Sequence, residues 1–316
     1  MIQTLLWTSE PDVYHQALKR AGLADRMQIQ TLRADQQPTP EMLANTETML
    51  AWNAPPGTLA NMSKLRWIQA LTVGIDNWLA RPDLREGIAL TCARGSHRVA
   101  MPENILGALF HLTKPYAQTT IDQKERRWVR HVSVPLAGKT LGILGLGTIG
   151  QELARKAAAL ELRVIGTKRS PGEIPNVDQV YPPEQIDTVL AQADFVLLLL
   201  PLTAKTDCII NAQSLAKMKP SAYLLNFGRG GLVADDDLIA AVKSKTIAGA
   251  VLDVYRTEPL PKEHAFWGTE GISVLPHIGG MAAGRDEIVA GIFTDNVRRF
   301  LADEPLNALV ERTRGY

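Results

Sequence analysis

Short apolar runs separated by stretches of helical period recur along the whole chain, an alternation that predicts parallel sheets covered by helices on both faces. In the first third, Thr4 to Thr8, Thr48 to Trp52, Trp67 to Leu71 and Ala89 to Ala93 read as strands. Asp12 to Ala21 reads as a helix, with Pro11 allowed at its start and Gly22 as its stop. Gln37 to Pro40 and Ala54 to Gly57 read as loops. A more complete series begins at Thr140, with strands predicted at Thr140 to Leu144, Arg163 to Thr167, Phe195 to Leu200, Tyr223 to Asn226, Ala250 to Asp253 and Ser273 to Leu275. Phe195 to Leu200 is apolar at every position and stops at Pro201, the pattern of a central strand buried on both faces. Between the two series, Pro102 to Thr120 predicts one long apolar helix, and the basic stretch Gln123 to His131 with its embedded Trp128 suits a connector or a subunit contact. Arg285 to Leu301 predicts a last helix with Ile288, Val289, Ile292, Val297, Phe300 and Leu301 on its apolar face.

A length of 316 residues, 46% of them hydrophobic, is enough for two domains with separate cores. Lys and Arg number 34 against 33 Asp and Glu, so a net charge of +1 offers no electrostatic footprint for nucleic acid or a membrane surface. A small-molecule ligand is expected instead. The only cysteines, Cys92 and Cys208, lie beside or within apolar runs and read as reduced, buried thiols. The N-terminus starts directly on a strand-like segment, and no window holds about 18 consecutive apolar residues. A cytoplasmic protein without a metal site is therefore expected. No solenoid repeat or low-complexity tract is visible.

The candidate chemistry begins at Gly145-Leu-Gly-Thr-Ile-Gly150, directly after the run Thr140 to Leu144. Glycines at this spacing suit a tight turn, close approach to a pyrophosphate and helix packing, and Gln151 to Leu160 would supply the helix whose N-terminus attracts phosphate. By itself the pattern also fits a plain strand-to-helix turn. Some 140 residues precede it, so another structure folds first.

Three further pieces follow: Asn226-Phe-Gly-Arg-Gly-Gly231, Leu252-Asp-Val-Tyr-Arg-Thr-Glu-Pro-Leu260 and Leu275-Pro-His-Ile-Gly-Gly280. In this order and spacing, the four motifs resemble the D-isomer-specific 2-hydroxyacid dehydrogenase family over most of the chain. Val73-Gly-Ile-Asp76 resembles that family's substrate loop, and Glu103 falls where the family commonly has an acid opening its long helix. The resemblance implies an α/β architecture of two doubly wound parallel-sheet domains, Rossmann- and flavodoxin-like, the nucleotide domain being inserted into the substrate domain. Residues 1–98 with 284–316 would form the substrate domain and 99–283 the NAD(P)-binding domain. It further implies a cleft between the domains, and a homodimer built on the helix from Pro102, with Trp128 and Arg130 as candidates to reach the partner.

Reducing a 2-oxo acid requires a cation for the carboxylate, a proton donor for the developing alkoxide and a hydride from a nicotinamide. Arg229 suits the first task through paired hydrogen bonds, and the glycines around it allow close approach. His277 suits the second, since an imidazole exchanges protons near neutrality. Glu258 would hold one ring nitrogen of His277 and so fix its tautomer. The three are 29 and 19 residues apart in sequence, so only the fold can join them. The resemblance implies substrate contacts from Val73, Gly74, Arg229 and His277. It implies cofactor contacts from Gly145, Gly147, Thr148, Ile149 and Gly150; from Leu200, Pro201 and Thr206; from Phe227, Gly228 and Arg229; and from Asp253, His277, Gly279 and Gly280.

Where NAD-specific members carry an acid about 20 residues beyond the glycine loop, this chain has Thr167-Lys-Arg-Ser170. Lys168 and Arg169, with the hydroxyls of Thr167 and Ser170, would bind a 2′-phosphate, which favours NADP(H) and leaves NAD(H) as the alternative. The leading expectation is a glyoxylate or hydroxypyruvate reductase. A 3-phosphoglycerate dehydrogenase stays open, with Arg94, His97 and Arg98 as cations for the extra phosphate. So does a cofactor-sensing binding protein like the corepressors that resemble this family.

Overall fold

The alternating pattern folds into two all-parallel sheets, of five and seven strands. The computed structural model describes residues 1–170 and 172–312. The chain divides into two compact units, Met1–His97 with Ala282–Tyr316, and Arg98–Met281. Residues 313–316 of the expected 284–316 segment lie outside the described residues. The unit boundaries come one and two residues before the expected ones. At the first, Arg98 goes with the second unit, where its Nη1 lies 3.5 Å from the Glu152 carboxylate.

The first unit holds β1 (Ile2–Trp7), β2 (Met27–Leu32), β3 (Thr48–Ala51), β4 (Trp67–Ala70) and β5 (Ala89–Thr91), in the order β2-β1-β3-β4-β5. Strand β2 has no counterpart among the predicted strands, because an edge strand needs no continuous apolar run. Gln28 and Gln30 interrupt it, and only Met27 is fully buried. The predicted first helix forms at Pro11–Arg20 and the predicted last one at Arg285–Leu301. The latter completes this unit's core: Trp67 stacks on Phe293 at 5.6 Å and on Phe300 at 5.3 Å. Its buried stripe runs through Val289, Phe293 and Val297, whereas Ile288, expected on the apolar face, is exposed. Burying a side chain the size of Phe293 contributes roughly 1.5–3 kcal/mol.

The second unit holds β6 (Thr140–Leu144), β7 (Arg163–Thr167), β8 (Gln179–Tyr181), β9 (Phe195–Leu198), β10 (Tyr223–Asn226), β11 (Gly249–Leu252) and β12 (Ile272–Val274). Their order is β12-β11-β10-β9-β6-β7-β8, so the chain runs outward from β6 in one direction and then from β9 in the other. The carboxyl ends of β6 and β9 thus form the switch point at which such sheets take ligands. Strands β6, β9 and β11 are buried at every residue, as continuous apolar runs require. The three-residue edge strand β8 was too short and too polar to predict.

The single helix expected over Pro102 to Thr120 is two helices, Ala100–Thr113 and Tyr116–Lys124. Pro115 makes the break. It has no N–H to donate, and it pushes Lys114 out of the helical region to φ −114°, ψ 136°. Of the two thiols, Cys92 is buried, while Cys208 is half-buried with φ +50°. Among the described residues, no helix is long and apolar enough to cross a membrane, and no cluster of three or more His, Cys, Asp or Glu side chains is arranged to hold a metal ion.

Candidate active site

At the carboxyl end of β6, the chain turns on Gly145, whose φ is +112°; a Cβ there would lie 2.9 Å from the Leu199 carbonyl oxygen. Only glycine meets both demands. The following helix is Thr148–Ala158, so it starts inside the motif rather than at Gln151, and Thr148 to Gly150 form its first turn. Its N-cap, Gly147, brings no capping side chain, and a Cβ on Gly147 would meet nothing within 4 Å. First-turn N–H groups without a cap, at an open and electropositive helix end, fit a pyrophosphate. Ile149 is half-buried, and Gln151 Nε2 donates to the Leu146 carbonyl (3.1 Å), fixing the turn.

The basic turn lies beside this cradle, since β7 pairs with β6 to the register Leu144 opposite Thr167. Thr167 is buried, and its carbonyl accepts the Leu146 N–H at 2.9 Å. The exposed part of the turn is therefore Arg169 and Ser170, with Lys168 half-buried and its N–H bonded to the Tyr181 carbonyl. On the other side, the loop after β9 carries Leu200, Pro201 and Thr206. The Thr206 hydroxyl donates to the Pro201 carbonyl (2.7 Å) and accepts the Thr203 N–H (2.8 Å), which closes the loop on itself.

The remaining candidates follow three adjacent strands. Asn226 of β10 registers with Leu252 of β11, and Leu252 with Val274 of β12. Neighbouring strands are about 4.8 Å apart, so the loops leaving them crowd together. Buried Asn226 accepts the Gly228 N–H (3.1 Å) and donates to the Arg229 carbonyl (2.9 Å), shaping the loop that carries Phe227, Gly228 and Arg229. Arg229 itself is half-buried and donates from Nη1 to the Gly228 carbonyl. In the loop after β12, His277 adopts φ +54° and directs Nδ1 to Glu258 Oε2 at 2.6 Å. The other Glu258 oxygen accepts the Tyr255 N–H at 2.9 Å. With a carboxylate on Nδ1, that nitrogen carries the hydrogen and Nε2 becomes the working atom.

Asp253, expected beside the nicotinamide, is completely buried, and its two oxygens accept the N–H groups of Ile278 and Gly279, each at 2.8 Å. Burial raises its pKa, and the two N–H donors oppose that rise. It holds the backbone immediately after His277. Gly279 packs closely enough against Phe227 that a Cβ would come within 2.8 Å of the ring, so the loops after β10 and β12 touch. Gly280 follows, half-buried.

Several supports escaped sequence reasoning. Asn104 donates to the carbonyls of Ile278 (3.1 Å) and Gly279 (3.0 Å), whereas its neighbour Glu103, which the sequence singled out, pairs with Lys156 at 2.6 Å. The Tyr255 hydroxyl lies within hydrogen-bond distance of the carbonyls of Leu252 (2.6 Å) and Leu275 (2.9 Å), which share its one hydrogen, tying together the ends of β11 and β12. Asn226 and Tyr255 stood in plain view within two motifs, but no periodicity marks a polar residue that is buried for support.

Val73 and Gly74 lie in the first unit, in the turn after β4, where the Thr72 hydroxyl donates to the Gly74 carbonyl (2.6 Å). Arg285 donates to the Leu71 carbonyl at the start of that turn, and its guanidinium lies 5.0 Å from the centre of the Trp52 ring. Of the cations considered for an extra phosphate, Arg94 is exposed, His97 is half-buried, and Arg98 is the one paired with Glu152.

Residues 106–279 match the model of the D-isomer-specific 2-hydroxyacid dehydrogenase NAD-binding domain, more than half of the chain. The chain belongs to this family. It is an oxidoreductase acting on CH–OH donors with a nicotinamide cofactor, and the matched segment is its dinucleotide-binding domain. The chain is 34% identical to the (S)-sulfolactate dehydrogenase of Chromohalobacter salexigens over 77% of its own length and 80% of that protein's. It is 32% identical to the glyoxylate/hydroxypyruvate reductase A of Serratia proteamaculans, covering 86% and 89%. The crystal structure of the NADPH-dependent glyoxylate/hydroxypyruvate reductase of Sinorhizobium meliloti, in complex with NADP and sulfate, superimposes with a TM-score of 0.86 at 27% identity over the full length of both chains.

Proposed function

We propose that this 2-hydroxyacid dehydrogenase reduces small 2-oxo acids, glyoxylate or hydroxypyruvate, with NADPH. The observation that carries the reading is the 2.6 Å pair between His277 Nδ1 and Glu258, in a loop packed against the one that bears Arg229. A reduced nicotinamide supplies the hydride that adds to C2 of the acid. Arg229 pairs with the substrate carboxylate and polarises the keto oxygen. The doubly protonated His277 gives its Nε2 proton to that oxygen as the alkoxide forms and is left neutral, and Glu258 stabilises the ring while it is charged. Oxidation of the hydroxy acid reverses each step. For Val73 and Gly74 the proposal is a substrate-contacting turn.

The NADP preference rests on the turn after Thr167. A carboxylate at this place would repel a 2′-phosphate, and the chain has Lys168, Arg169 and Ser170 instead. The NADP-bound relative from Sinorhizobium meliloti supports the same cofactor. The reading includes a homodimer. Exposed apolar side chains at Tyr116, Trp128 and Val132 suit a subunit contact, and a monomeric mass in solution would count against it.

The deciding experiment measures kcat/KM for glyoxylate, hydroxypyruvate, phosphohydroxypyruvate, 3-sulfopyruvate and branched 2-oxo acids with each cofactor. Glyoxylate or hydroxypyruvate with NADPH should rank first, and K168E/R169E should lower the NADPH-to-NADH efficiency ratio at least about tenfold, the effect of losing roughly 1.4 kcal/mol of phosphate pairing. A parent ratio below one overturns the NADP assignment, and a first rank for the phosphorylated or sulfonated acid overturns the substrate. No NADPH oxidation with any 2-oxo acid would leave a cofactor-sensing protein as the better description.

A further inference from the structure

Arg256 is absent from every role assigned so far, although it sits between Tyr255 and Glu258. Its Nη2 lies within hydrogen-bond distance of four acceptors: Asp207 Oδ1 (3.2 Å), Cys208 Sγ (2.8 Å), the Gly231 carbonyl (3.0 Å) and the Val233 carbonyl (3.1 Å). One nitrogen carries only two hydrogens, so these acceptors share them, and their convergence is a matter of geometry rather than of four full bonds. The ion pair with Asp207 is partly exposed and contributes little by itself.

What the four acceptors have in common is their place in the chain. Gly231 and Val233 end the turn that starts at Arg229; Asp207 and Cys208 follow Thr206 in the loop after β9; and Arg256 belongs to the turn whose Glu258 holds His277. The three segments are also joined without Arg256, which shows where it acts. The Cys208 N–H donates to the same Gly231 carbonyl at 2.8 Å, filling that oxygen's second acceptor position. Gly230 lies so close to the peptide between Tyr255 and Arg256 that a Cβ would fall 1.9 Å from the Tyr255 carbonyl carbon. The backbone after Arg229 is therefore both pressed against the Tyr255–Arg256 peptide at Gly230 and held by the Arg256 guanidinium at Gly231 and Val233.

We infer that Arg256 is a positioning residue for substrate binding. It registers the Arg229 turn against the turn bearing Glu258, so that the guanidinium meant for the carboxylate and the imidazole meant for the keto oxygen keep a fixed separation. Misplacing a reacting group by about 1 Å costs on the order of a hundredfold in rate, which is the scale on which such a clasp matters. The inference rests on Arg229 being the carboxylate's partner.

The test uses the NADPH-loaded protein and oxalate, a planar dicarboxylate that cannot be reduced, as a binding probe. R256Q should weaken oxalate at least about tenfold and raise KM for glyoxylate in step, with NADPH affinity, read by fluorescence titration, within about twofold of the parent. R256K, which keeps a charged donor, should recover part of the loss and serves as the readout if R256Q does not fold. In an R229Q background the R256Q change should add nothing further. Oxalate affinity unchanged in R256Q, or equal additional losses in the presence and absence of Arg229, overturns the inference and leaves Arg229's own role intact. If R229Q alone binds oxalate like the parent, the reading of Arg229 fails, and the clasp fails with it.

Discussion

The turn after β6 and the loops after β10, β11 and β12 lie on the same carboxyl edge of one sheet, yet they are built by different means. The first works with backbone. Gly145, Gly147 and the uncapped start of helix Thr148–Ala158 provide N–H groups and space, all within six consecutive residues. The second works with side chains drawn from three strands. His277, Glu258 and Arg229 depend on supporting polar residues, the buried Asn226 and Asp253 and the half-buried Asn104, whose hydrogen bonds go to backbone. A backbone cradle is local and tolerates change around it. A side-chain constellation is only as good as the groups behind it.

The contrast makes separable predictions. The largest effect belongs to H277A: removing a general acid should lower kcat by roughly 10²–10⁴ with dinucleotide affinity unchanged, measured by steady-state kinetics beside a binding titration. Retained turnover would move the proton donor elsewhere. G150A should do the opposite. Its Cβ would lie 2.7 Å from the Gly145 carbonyl oxygen, a backbone atom, so the cradle must shift. Dinucleotide Kd should rise at least about tenfold, near 1.4 kcal/mol, and kcat at saturating cofactor should stay within about threefold. If kcat fell as far as it does in H277A, the two sites would not be separable.

The smallest effect concerns Asp253. Burial raises its folded pKa above the unfolded value, so the folded state holds its proton longer. Stability is therefore unaffected by this group below the ordinary carboxylate range of about 3.9 and declines as pH rises from there through the raised value. The decline amounts to at most about 1.4 kcal/mol per pH unit. D253N lacks that slope, and urea midpoints taken across the acid range should converge or cross between parent and variant. Parallel curves would mean that Asp253 carries no burial penalty.

The same division explains how much could be read from the chain. The strands that became β6, β7, β9 and β10 were visible as apolar runs, because strands covered on both faces keep their polar residues, such as Thr140, Arg163 and Asn226, to their ends. Strands β2 and β8 were not, since Gln28 and Gln30 interrupt the first and the second has only three residues, one of them Gln179. Pro115 should have divided the long helix on sight, but the apolar run across it was the stronger pattern. The pairing of Glu258 with His277 was expected through their motifs, and the two side chains meet at 2.6 Å. Asn104 was not, and the adjacent Glu103 drew attention that belonged to it.

Residue order thus carried everything that depends on neighbours along the chain: the apolar runs, the glycine turn at 145–150 and the basic turn at 168–170. Strand order and the support of the site required the folded backbone. Hydrogen bonds such as Asp253 to Gly279 or Arg256 to Gly231 join residues 26 and 25 positions apart, and no local pattern records a contact that loop closure alone creates.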